Sequence, residues 1–107
     1  MQSPNNLLYG TLDVLVLKAL AREPLHGYGV STWIRVSTRD VLVVEDAALY
    51  KALHRLEKGG DVSAEWGLSE NNRRAKYYSL TTAGRARLKA EATAWRKYAA
   101  AVFVILE

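Results

Sequence analysis

A mainly α domain that carries one small β-hairpin and closes on a long helix is the fold this sequence predicts. Three observations carry that prediction. Apolar residues recur at helical spacing in three short segments before residue 60. Two β-prone runs follow, separated by a polar, turn-forming loop. Residues 82–107 then show an apolar seam with a repeat of 3.5 residues.

The elements follow in order. Thr11 is placed to cap a first helix over Leu12 to Ala21, where Leu12, Leu15, Val16, Ala19 and Leu20 form a stripe that Val14 and Leu17 widen. Glu23-Pro24 ends it, because the residue before proline avoids helical geometry. A second helix runs from the Leu25-His26-Gly27-Tyr28-Gly29 segment through about Ser37, with Val30, Trp33 and Ile34 on one face and His26 bracing its start. Val41 to Val44 reads as an extended link. Asp46 is placed to cap a third helix, Ala47 to Lys58, whose Leu49, Leu53 and Leu56 face the core, and Gly59-Gly60 supplies its left-handed stop. In the first strand Val62, Ala64 and Trp66 alternate with Ser63, Glu65 and Gly67; the second is Lys76 to Leu80, and Leu68 to Ala75 makes the loop. Thr81-Thr82 caps the last helix. Its seam is Leu88, Ala92, Trp95, Ala99, Val102 and Leu106, flanked by Tyr98, Phe103 and Ile105.

Composition narrows the function classes. The 107 residues carry a net charge of +4, a mild pointer to a polyanionic partner. No apolar run is long enough to span a membrane. The polar, uncharged start from Met1 to Asn6 lacks the basic segment of an export signal, so a cytoplasmic protein is expected. With no cysteine and only His26 and His54, neither a thiolate nor a histidine metal site is expected. No nucleophile stands beside a base, so no catalytic residues and no cofactor are expected. Trp33 and Trp66 read as packing residues.

Three helices followed by a hairpin are the parts of a winged helix-turn-helix, in which the third helix enters the major groove and the hairpin loop reaches the backbone or minor groove. The third helix turns Ala47, Tyr50, Lys51, His54, Arg55 and Lys58 away from the predicted core. Arg73, Arg74 and Lys76 lie at or beside the hairpin tip, where cationic side chains track phosphates. One of Tyr77 and Tyr78 faces the core and the other is half-exposed.

Several segments resemble PadR-family regulators: Tyr9-Gly10-Thr11-Leu12-Asp13-Val14-Leu15 and its continuation to Leu20, Pro24-Leu25-His26-Gly27-Tyr28-Gly29, Leu49-Tyr50-Lys51-Ala52-Leu53-His54-Arg55-Leu56-Glu57, Glu65-Trp66, and the run from Asn72 to Gly84. The resemblance implies a homodimeric repressor of double-stranded DNA, with Tyr50, His54 and Arg55 on the helix that meets DNA, and Arg73, Arg74, Lys76 and Tyr78 on the wing. It divides the chain into a DNA-binding part, 1–81, and a dimerisation helix, 82–107. The chain departs from the pattern at Ala47-Ala48, where a glycine and a hydroxyl residue are usual, at Lys51 in place of a proline, and at Asp61 in place of an apolar residue.

Two readings of Trp95 stay open: filling the dimer core, or lining a pocket for a small aromatic effector. The rival function is a ligand-sensing or dimerisation module with little specific DNA binding. A single-strand RNA binder would need an exposed aromatic platform that the sequence does not announce. A chain ending at Glu107, straight after Ile105-Leu106, also fits a sequence cut short within its dimer helix.

Overall fold

In a computed structural model, which describes residues 11–107, the chain forms α1 (Leu12–Leu20), β1 (Leu25–His26), α2 (Gly27–Ser37), α3 (Asp46–Lys58), β2 (Val62–Leu68), β3 (Arg74–Leu80) and α4 (Thr82–Leu106). The polar start and the Tyr9-Gly10 pair lie outside the described residues. Leu17 and Leu20 of α1, Val30 and Ile34 of α2, and Leu49, Leu53 and Leu56 of α3 are all fully buried. These are the stripes that the 3.6-residue period picks out, and they meet in one core under the sheet. Trp33 packs on that core from its edge.

Local chemistry sets the element ends. The extended backbone of His26 and its Nδ1, which accepts from the Gly29 amide at 3.0 Å, cap α2. At the end of α3, the Gly60 amide donates to Glu57 O and the Asp61 amide to Leu56 O, with Gly60 in the left-handed region (φ 84°). That pair of bonds closes the helix in a Schellman motif. Thr81 caps α4, its Oγ1 accepting from the Gly84 amide at 3.0 Å. The start of α3 differs from expectation. Glu45 holds the extended N-cap position and Asp46 is the first helical residue, where its charge complements the helix dipole.

The sheet has three antiparallel strands in the order β1-β3-β2, rather than a bare hairpin. Leu25 pairs with Tyr78 and His26 with Tyr77. Two residues are too few to show a period, so this strand has no sequence signal of its own. β2 and β3 pair from Val62 with Leu80 to Leu68 with Arg74. Their turn is closed by the Asn72 amide on Ser69 O at 2.8 Å, with Asn72 at φ 58°, a conformation asparagine tolerates.

Among the described residues no helix is long and apolar enough to cross a membrane.

Candidate nucleic-acid interface

Burial of Leu49, Ala52, Leu53 and Leu56 turns the opposite face of α3 to solvent, and Tyr50, Lys51 and His54 stand on it exposed. Ala47 and Ala48 are also exposed at the start of the helix, so its first turn presents little more than backbone. Beside this face the hairpin projects past the helical layer. Burial falls off along β2 as it leaves the core, from buried Val62 to half-buried Ala64 to exposed Trp66 and Leu68. The inward side of the strand runs out of helix to pack against.

Trp66 is therefore a correction: it is 57% exposed, with no core to fill. The Arg74 guanidinium lies over its ring, 4.8 Å from the centroid. A cation held on an aromatic face keeps its charge and gains a fixed direction.

α3 and the wing form the walls of one open cleft of about 560 Å³. Tyr50 lines it from α3, Tyr28 from the start of α2, and Trp66, Arg74 and Lys76 from the sheet. Gly27 makes the α3 wall possible, because a Cβ there would sit 2.6 Å from Tyr50 Oη. The phenol ring thus lies against the first turn of α2, where a side chain at position 27 would push it aside. Three exposed aromatics beside two cations form a surface suited to a phosphate–sugar backbone. Neither Tyr28 nor Trp66 is expected here from the sequence: Tyr28 falls within the approach to a helix, and alternation alone places Trp66 inward as a packing residue.

The remaining expected contacts divide. Arg73 stands exposed at the tip. Arg55 is turned toward α1, its Nη2 donating to Asp13 Oδ1 at 2.6 Å. Lys76 donates to Glu57 Oε1 at 3.1 Å and lies 5.6 Å from the Tyr78 ring centroid, so its charge is partly answered within the fold. Tyr78 is 5% exposed and packs with the core, so it reaches the cleft only as part of its floor. Tyr77 is the half-exposed partner, its hydroxyl donating to Leu68 O at 3.0 Å.

Two shifts here act in the same direction. Burial pushes the Tyr78 phenol above its ordinary value of 10.0, against the pull of Lys76. The bond to Glu57 raises Lys76 above 10.5. A folded pKa above the unfolded one favours the fold until the unfolded group begins to lose its proton, and that advantage is lost as pH climbs through the folded value. Stability to urea is thus expected to fall as pH rises past about 10, and the fall should be shallower in Tyr78→Phe. An equally steep fall in that variant would remove Tyr78 from the account.

Between α1 and α4, Leu88, Ala92, Trp95 and Ala99 line a second groove of about 660 Å³ together with Leu15 of α1. Trp95 is 36% exposed and stacks obliquely with Tyr98 at 5.4 Å. Val102 is half-exposed, while Leu106, Phe103 and Ile105 project into solvent. Among the described residues no group of three His, Cys, Asp or Glu side chains could hold a metal ion.

Comparison with known proteins gives a consistent picture. Residues 16–90 match the model of the transcriptional regulator PadR-like family. A PadR family transcriptional regulator from Eggerthella lenta is 31% identical, with 95% of this chain and 87% of that one covered and a TM-score of 0.79. A transcriptional regulator from Clostridium thermocellum is 29% identical over 91% and 94% of the two chains, with a TM-score of 0.82. A PadR-like regulator from Bacillus cereus, 24% identical over 95% and 97% of the two chains, shares the fold at a TM-score of 0.80.

Proposed function

The chain belongs to the PadR-like family of transcriptional regulators, and from that premise we propose that it is a cytoplasmic, sequence-specific DNA-binding repressor that acts as a homodimer by occupying its operator. The observation that carries the reading is the single cleft with Tyr50 on one wall and Arg74 and Trp66 on the other. An α-helix face and a wing on the same side of a domain match the two contacts a winged helix makes with one duplex. Tyr50, Lys51 and His54 bias the choice of bases. Arg73 and Arg74 supply affinity that is largely blind to sequence, and Lys76 adds less because Glu57 already engages it.

Residues 1–81 form the DNA-binding part and 82–107 the dimerisation helix. The seam of α4 and its exposed last turns meet a second copy, setting the two recognition helices about 34–36 Å apart, one turn of the duplex.

The test is Arg74→Ala across a salt series. It should weaken binding to all sequences alike and lower the slope of log affinity against log salt by about one. A changed base preference with the slope intact would contradict these roles.

The groove at Trp95 favours a second, compatible reading, in which a planar aromatic effector relieves repression. Its signature is quenching of tryptophan fluorescence that Trp95→Phe abolishes.

A further inference from the structure

The ion pairs that tie the long helix to the rest of the fold meet at Arg87. Its Nη1 donates to Asp61 Oδ2 at 2.7 Å, its Nη2 to Asp13 Oδ2 at 3.1 Å, and its Nε to Glu91 Oε1 at 3.2 Å. The other oxygen of Asp13 accepts from Arg55 of α3 at 2.6 Å. The two central carboxylates are well shielded, with side-chain exposures of 21% for Asp13 and 14% for Asp61. Charge pairs in such surroundings are screened far less by salt than surface pairs are. A guanidinium that engages three carboxylates through its planar fork is fixed in orientation as well as position.

The same region is joined through the backbone. The Thr81 amide donates to Asp61 O at 3.1 Å, and Thr81 Oγ1 lies 2.7 Å from Gly60 O and 3.0 Å from Asp61 O. This holds the N-cap of α4 to the turn that closes α3. One attachment makes a pivot, and Arg87, farther along the helix, supplies the second attachment that gives it a heading. Asp61, which departs from the apolar residue of the pattern the chain resembles, is central to both.

We propose that Arg87 is a positioning residue for DNA recognition: held by Asp13 and Asp61, it fixes the angle between α4 and α3 and so sets the separation of the recognition helices in the dimer. This rests on the homodimeric DNA-binding reading above. The leverage is large. A helix of 25 residues is about 37 Å long, so a tilt of about 10° at its base moves its far end by roughly 6 Å. That exceeds the rise of one base pair, which is enough to change the half-site spacing a dimer accepts.

The chain has no cysteine, so Lys51→Cys carries a single spin label on α3 of each subunit. Pulsed electron resonance then reads the label-to-label distance across the dimer, with no DNA present. We expect one narrow distribution in the otherwise native chain. Arg87→Gln and Asp61→Asn should each broaden it or move its centre, Arg87→Lys should narrow it again in part, and Glu91→Gln should leave it unchanged. A purely stabilising role would lower the melting temperature of Arg87→Gln and leave the distance where it was, and that result overturns the proposal. Should Arg87→Gln fail to fold, Asp61→Asn decides by the same criterion. Absence of any distance between subunits in the native-like chain would instead overturn the dimer, and the proposal with it.

Discussion

Gly84→Ala is expected to destabilise the protein by about 3 kcal/mol and lower Tm by roughly 10–20 °C. Gly84 is buried one turn into α4, at the joint with the end of α3. A Cβ there would lie 2.0 Å from the carbonyl oxygen of Asp61 and 2.8 Å from Leu80 Cδ1. A flexible side chain could swing aside, but this neighbour is backbone, and its oxygen already accepts from the Thr81 amide. Relief requires α4 to move off the core or the Asp61 turn to open, and either breaks bonds at the joint. Gly60 makes the control. It has a positive φ of 84° and open space around it, so Gly60→Ala should cost only about 1 kcal/mol, through backbone strain. Thermal unfolding of both variants, followed by helix signal, measures the difference. Equal and small shifts would mean that α4 sits farther from Asp61 than described.

Val102→Glu is expected to leave the monomer folded and to abolish the dimer, with operator affinity reduced about 100-fold or more, some 2.7 kcal/mol. Val102 lies on the seam and is half-exposed in the single chain, between Phe103 at 62% and Ala101, also exposed. A carboxylate there costs the isolated subunit little, because water still reaches it. In a symmetric pair the seam brings both copies of the residue into one apolar interface, which buries two like charges with no partner. Losing the dimer then removes the second half-site from the binding energy. Sedimentation with operator titration checks both halves of the statement. A variant that stays dimeric would move the interface away from the α4 seam.

The sequence made some features plain and hid others, for physical reasons. Leu49, Leu53 and Leu56 were legible because a helix that buries one face repeats every 3.6 residues, and Gly59-Gly60 because a left-handed stop favours glycine. The family was legible because several motifs fall in one order, and the matched span of residues 16–90 bears that out. The two residues of β1 carry no period. Trp66 misled because alternation tells which side of a strand a residue faces but not whether a helix lies beneath it. Arg55 and Lys76 are expected on the DNA-facing surface, yet each has an acidic partner distant in sequence, Asp13 and Glu57. Asp61 looked like a flaw in the pattern for the same reason: Arg87, its partner, lies 26 positions away. Periodicity exposes burial, while long-range ion pairs leave no local trace.

Sequence-specific DNA binding can be tested in one titration. The purified protein is bound to the DNA upstream of its own coding region across a salt series, with a scrambled duplex of equal length as competitor. Tight binding that weakens steeply with salt and survives the competitor is the expected result. Equal and weak binding to both duplexes would contradict it, leaving the winged-helix fold in place and the cleft between Tyr50 and Arg74 without the role assigned to it.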